Sequence, residues 1–159
     1  MPLKWSDMVD PYAPENETPV GYDFTLDTVA TLGYNQARIG RDTKQLPEYR
    51  EMFPTDYNGT EMWYLKPGPY FVKFLEKVMI PGDMMAYMRP RSTLLRCGIA
   101  LETAVWDAGY EGKSGALLIV HNPNGVLIER FTRIGHMVMH PLSTPNGLYV
   151  GQYQKEGVN

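Results

Sequence analysis

The chain has 159 residues, 43% of them hydrophobic, with 15 Lys+Arg against 18 Asp+Glu and a net charge of −3. That length and apolar content suit one domain around a single core and exclude disorder of the whole chain, and the absence of a basic excess argues against a nucleic-acid partner. A single cysteine, Cys97, excludes an internal disulfide framework and fits a reducing compartment.

The stretch "MPLKWSDMVDPYAPENE" lacks an apolar run of signal-peptide or membrane-span length, so a cytoplasmic chain with no membrane partner is expected. From there Pro and Gly punctuate short apolar stretches rich in Val, Ile, Tyr and Phe, which is the rhythm of an all-β fold. Segment 34–62 is more polar and reads as a long excursion from the sheet, with a helical turn around "LPEYREMF" (46–53). "YFVKFLEKVMI" (70–80), the turn "PGD" and "MMAYMRP" (84–90) read as one hairpin. "GALLIVHNPNGVLIERF" (115–131) reads as a second, turning at Asn122–Gly125. "RIGHMVMHP" (133–141) suits a strand covered on both faces. No repeat or linker divides the chain, so residues 1–159 are taken as one domain, with 149–159 as a candidate mobile tail.

Two short stretches carry candidate chemistry. In "PRSTLLRCG" (90–98), Ser92 or Thr93 can cap a helix of two turns at most, and Gly98 can close it in the left-handed conformation. Arg91, Ser92 and the helix start then make a phosphate cradle, although a barrel-corner helix with surface arginines accounts for the same residues. In "VWDAGYEGK" (105–113), Asp107 enters a glycine turn and can orient a water, or simply cap that turn. The His136/His140 spacing would suit zinc on a helix. In a strand with no third ligand it does not, and no protein metal ligand is assigned.

In order, "GYDFTLD" (21–27), "PRSTLLRCG", "VWDAGYEGK", "FTRIGHMVMHP" (131–141) and "YVGQYQKEG" (149–157) resemble the five motifs of the dUTPase and dCTP deaminase superfamily. The resemblance is to a deaminase-like chain of the archaeal type and implies a distorted β-barrel of the β-clip kind. One or two short helices, a homotrimer with sites shared between subunits, and a deoxyribonucleoside triphosphate substrate carrying Mg²⁺ are implied with it. Deaminase members carry a glutamate three residues before the Asn of the next turn. Before Asn122 this chain has Ile119, Val120 and His121, and neither Glu102 nor Glu111 matches that place.

The resemblance therefore implies hydrolysis of dUTP to dUMP and pyrophosphate. dCTP deamination, a bifunctional enzyme, and a non-catalytic nucleotide-binding module are the alternatives. Asp107 would activate water, while Arg91, Ser92, Thr93, Arg96 and Arg133 would hold phosphates. Tyr110 would stack beneath the sugar and exclude a 2′-hydroxyl. His136 stands where trimeric dUTPases usually carry a glutamine. Tyr153, Gln154 and Lys155, in a tail shorter than the dUTPase arm, would close over the phosphates.

Overall fold

In a computed structural model, residues 4–158 are described. Almost every regular element is a strand, in keeping with the Val, Ile and aromatic content. In chain order they are β1 (Val9–Asp10), β2 (Glu17–Thr18), β3 (Gly21–Leu32), β4 (Arg38–Ile39), β5 (Lys44–Gln45), β6 (Tyr49–Met52), β7 (Thr55–Tyr57) and β8 (Thr60–Leu65). Then come β9 (Gly68–Phe74), β10 (Lys77–Met79), β11 (Met84–Pro90), the helix α1 (Ser92–Arg96), β12 (Ile99–Glu102), β13 (Glu111–Gly112), β14 (Gly115–Val120), β15 (Val126–Glu129) and β16 (Arg133–Pro141).

The main sheet runs β11-β16-β3-β9-β14-β12, with β2 and β6 also paired to β3. Its two ends, β11 and β12, pack against one another, so the sheet curls almost into a barrel. Closing the sheet in this way leaves few open edges. Inside lie Tyr22, Phe24, Leu26, Val72, Phe74, Leu118, Ile134 and Met137, all fully buried. Tyr22–Phe24 and Phe24–Phe74 meet edge to face at 5.6 Å, each worth about 0.5–1.5 kcal/mol beyond its buried area.

Strand β3 organises this core. Its first half pairs with β16 and its second half with β9, with a register shift between Leu26 and Thr28. At that corner the buried Glu76 replaces a strand partner. Its carboxylate accepts Thr25 N at 2.9 Å and Thr25 Oγ1 at 2.5 Å.

Glu76 also corrects a sequence expectation. Residues 70–80 are two strands broken at Leu75–Glu76, and β10 pairs with β1 and β13 while β11 pairs with β16, so 70–90 is no hairpin. Nor is 115–131, because β14 joins β9 and β12 whereas β15 joins β8. The expected turn does form, with Gly125 N donating to Asn122 O at 3.0 Å. No helical turn forms at 46–53: residues 49–52 are β6, laid antiparallel along β3, and Tyr49 stacks on Phe71 at 4.4 Å. Packing against β3 and β9 outweighs local helix propensity there. Strand β16 matches the sequence reading, but its cover thins toward its end, where His140 is exposed and stacked on Tyr87.

Burial holds the Glu76 carboxyl above its ordinary value of 4.5, and the hydrogen bonds from Thr25 pull the other way. A raised folded-state pKa gives stability that is complete below the unfolded value and is lost as pH rises through the folded one. Glu76→Gln removes that dependence together with one acceptor. The gap in Tm between wild type and Glu76→Gln should therefore be widest below about pH 4.5 and narrow as pH rises toward about pH 8. A gap that widens with pH, measured by thermal melts across that range, would contradict the assigned sign.

Candidate active site

Helix α1 follows β11 directly. Its first-turn cap is Arg91, in extended backbone and without a side-chain cap bond, so neither Ser92 nor Thr93 caps it. The start is held by tertiary contacts instead: Arg91 N donates to Ile134 O at 3.0 Å, and its Nε lies 2.9 Å from Asp23 Oδ2. Gly98 closes the helix at φ +75, as the sequence suggests, and Asn122 Nδ2 donates to Cys97 O at 3.1 Å. Ser92 and Thr93 are exposed. Arg96 folds back on its own helix, with Nη1 donating to Ser92 O at 3.2 Å.

Asp23 is the residue that sequence reasoning missed. Its side chain is only 3% exposed, yet three potentially cationic groups converge on it. Arg91 Nε and, at 3.8 Å, Arg133 Nη1 face Oδ2, while His136 Nδ1 lies 2.9 Å from Oδ1. Arg133 Nη1 also donates to Glu15 O at 3.0 Å, and Thr18 Oγ1 sits 3.5 Å from His136 Nε2. A signal was available in the sequence: Asp23 lies between Tyr22 and Phe24, in the half of β3 whose residues 21–26 are all buried, and a buried carboxylate requires partners.

Asp107 belongs to a second group. Its strand is reduced to a single bridge, Ala86 to Trp106, after the exposed residues Ala104 and Val105. Asp107 O accepts Tyr110 N at 3.2 Å, and Gly109 takes φ +78, so 107–110 is a tight turn that needs glycine. The carboxylate is exposed and has no hydrogen-bond partner among the described residues. It lies between two cavities. One, of about 460 Å³, is lined by Trp106, Tyr110, Tyr49, Phe71, Tyr149 and Tyr153 together with Lys73 and Glu156. The other, of about 500 Å³, lies under residues 142–151.

Tyr110 is 7% exposed and lines the aromatic cavity. Trp106 Nε1 donates to Ser114 Oγ at 2.6 Å, and Ser114 Oγ donates to Tyr110 Oη at 3.0 Å. Burial raises the Tyr110 pKa, with the Ser114 hydrogen bond opposing, so the phenol stays neutral and its own proton remains free to donate. Leu46 and Tyr49 bring the 34–62 excursion into this wall, which the sequence did not reveal.

The tail lies over the same turn. Tyr149 N donates to Ala108 O at 2.8 Å and Lys155 N to Glu111 O at 2.6 Å. Gln154 bonds twice: its Oε1 accepts Glu111 N at 3.0 Å and its Nε2 donates to Gly109 O at 2.9 Å. Tyr153 borders the cavity, with Lys44 Nζ 5.7 Å from its ring centroid. The structure thus gathers Asp107, Tyr110, Tyr153 and Gln154 on one side and Arg91, Arg133 and His136 on another. Among the described residues no hydrogen bond or ion pair joins the two groups. Trp106, next to Asp107, bridges Ala86, the third residue of β11, whereas Arg91 follows Pro90 at its end, about 13 Å of strand apart.

A nearly closed β-barrel that sets an exposed aspartate beside an aromatic cavity defines the class of protein. The chain belongs to the dCTP deaminase-like family, whose model matches residues 4–142. It is 41% identical over 142 residues to a probable deoxyuridine 5′-triphosphate nucleotidohydrolase of Archaeoglobus fulgidus, covering 89% of this chain and 82% of that protein. A protein of the same name from Methanococcoides burtonii is 43% identical over 142 residues, covering 88% and 82%. The fold resembles the crystal structure of the 2′-deoxycytidine 5′-triphosphate deaminase from Agrobacterium tumefaciens, with a TM-score of 0.65 at 17% identity. That likeness covers 86% of this chain and 45% of the deaminase chain. The superfamily resemblance in the motifs is borne out.

The two Gln154 bonds pin the tail to the 109–111 backbone. Gln154→Ala should expose the Glu111 amide to solvent and raise its hydrogen-exchange rate about tenfold, while core amides of β3 and β14 stay protected. Unchanged exchange at Glu111 would show that the main-chain bonds of Tyr149, Lys155 and Glu156 hold the tail without Gln154.

Proposed function

We propose that this protein hydrolyses dUTP, as its magnesium complex, to dUMP and pyrophosphate. The observation that carries the reading is the pairing of an exposed, unpartnered Asp107 carboxylate beside a nucleoside-sized aromatic cavity with a strand, β14, whose six residues Gly115–Val120 include no carboxylate. The names of the archaeal relatives support it. Deamination needs an acid–base group against the base. Glu102 lies opposite Leu117 on β12 but lines neither cavity, and Glu111 faces Lys77 at 3.7 Å.

Asp107 accepts a proton from water, whose oxygen attacks the α-phosphorus. The bond from that phosphorus to the bridging oxygen breaks, and pyrophosphate leaves. The exposed carboxylic acid then returns its proton to solvent. Positioning and charge neutralisation do most of the work in such a transfer. Magnesium arrives as part of the substrate, held by triphosphate oxygens and water, in accord with its preference for few protein ligands. Arg91 and Arg133 neutralise the phosphates, with Ser92 and Thr93 at the start of α1 beside them. Tyr110 packs against the sugar, leaving no room for a 2′-hydroxyl. Arg91 follows the end of β11 whereas Asp107 adjoins the bridge to Ala86 within it, and this separation favours a homotrimer whose sites draw on different subunits.

Incubation with Mg²⁺ and dUTP should yield dUMP and pyrophosphate, while dCTP yields no ammonia. Asp107→Asn should keep nucleotide binding and lose about 10²–10⁴ in kcat, the usual worth of a positioned base. Ammonia released from dCTP at a comparable rate overturns the reading, and near wild-type activity in Asp107→Asn leaves Asp107 a turn cap. Shared sites predict a further result. Inactive Asp107→Asn and Arg91→Ala subunits, dissociated and reassembled together, should recover part of the activity. Subunit exchange verified by mass spectrometry with no recovered turnover would place each site within one subunit.

A further inference from the structure

Resting on the reading of Arg91 as a phosphate ligand, we infer that Asp23 is the positioning residue of the triphosphate cradle, aiming the Arg91 guanidinium and fixing the His136 ring beside it.

Arginine recognises phosphate through a planar fork of N–H groups, so its value depends on where the fork points. Asp23 meets Arg91 as an ion pair at Nε, 2.9 Å from Oδ2. The four Nη hydrogens have no acceptor among the described residues, and the side chain remains 34% exposed. The ion pair ties the guanidinium at its Nε side and leaves the Nη groups free to meet a ligand. Backbone geometry reinforces this, because Arg91 N is held by Ile134 O on β16. The other carboxylate oxygen serves a second aim. Asp23 and His136 are direct cross-strand partners, and the contact at Oδ1 fixes the His136 proton on Nδ1. Nε2 is left beside Thr18 Oγ1, which already accepts Gly21 N at 3.0 Å and so turns its own proton toward the imidazole.

A carboxylate is an odd group to place in an anion site, since its charge opposes the ligand. Charge alone predicts that removing it tightens phosphate binding. Orientation predicts the reverse, and the sign decides between them. Loss of the anchor lets the fork swing, and a misplacement of about 1 Å in a positioning group can weaken its action about a hundredfold.

The test compares wild type with Asp23→Asn in binding of inorganic tripolyphosphate by calorimetry and in dUTP kinetics. Expected is a 10- to 100-fold weaker tripolyphosphate affinity and a matching rise in KM, with inhibition by deoxyuridine, which carries no phosphate, unchanged. Equal or tighter tripolyphosphate binding overturns the inference. If wild type binds tripolyphosphate but does not turn over dUTP, the proposed function fails while this inference is still decided by the binding arm. Asp23 is buried, so the variant can fail to fold. In that case the wild-type Arg91 Nε–H resonance decides. It should stay slow to exchange both free and with saturating tripolyphosphate, and its release on binding overturns the proposal.

Discussion

Asp23 sits where the chain can least tolerate an unpaired charge. Strand β3 is covered by β16 on one edge, by β9 further along, and by the core on its face, and Tyr22 and Phe24 on either side of Asp23 are fully buried. A carboxylate there must be matched by donors or expelled. The match comes from three places: the start of α1, the first residue of β16 and its fourth. Arg133 also reaches the Glu15 carbonyl and so ties down the turn that precedes β2. Removing one partner from such a buried group typically costs about 3–5 kcal/mol. The same contact set that holds the fold together therefore fixes Arg91 at the end of β11.

The sequence was legible where local chemistry decides the outcome. Turn residues marked the strand ends, and the short helix closed at Gly98 as its pattern requires. The order of motifs was enough to recognise the family. What could not be read was which strand pairs with which. Stretches 70–90 and 115–131 look like hairpins because a turn lies between two apolar runs, yet in a curled sheet those strands join partners distant in sequence. Residues 46–53 misled for a related reason, since Tyr49 finds Phe71, which no local pattern can show. Among site residues, Asp107 and Arg91 announced themselves by type and neighbours. Asp23 was quoted only as part of the first motif, and its importance appears only once His136 and the two arginines are seen to meet there.

Within one chain Asp107, next to the Trp106–Ala86 bridge, and Arg91, after Pro90, are held apart along β11. Each end is rigid for its own reason. Trp106, Ser114 and Tyr110 form a buried hydrogen-bonded row under the Asp107 turn, and the tail closes over that turn through main-chain bonds. The opposite end relies on ion pairs around Asp23. A barrel built this way presents two finished halves of a site rather than one loose whole, which suits assembly of complementary ends from neighbouring copies.

The aromatic cavity sets limits on the chemistry that can happen at the base. Its walls are Tyr49, Phe71, Trp106, Tyr110, Tyr149 and Tyr153, and its charged residues are Asp107 at the mouth and the Lys73–Glu156 pair, 3.6 Å apart. Glu156 is thus held by a cation and carried on the tail. A pyrimidine seated among these rings meets flat apolar surfaces and the neutral, buried Tyr110 phenol, whose free proton can bond a sugar or base oxygen. Strand β14 adds no acid–base group of its own, since it contributes only Gly, Ala, Leu, Ile and Val. Among the described residues Asp107 is the carboxylate at the cavity that has no partner, and β14 adds no acid or base beside it.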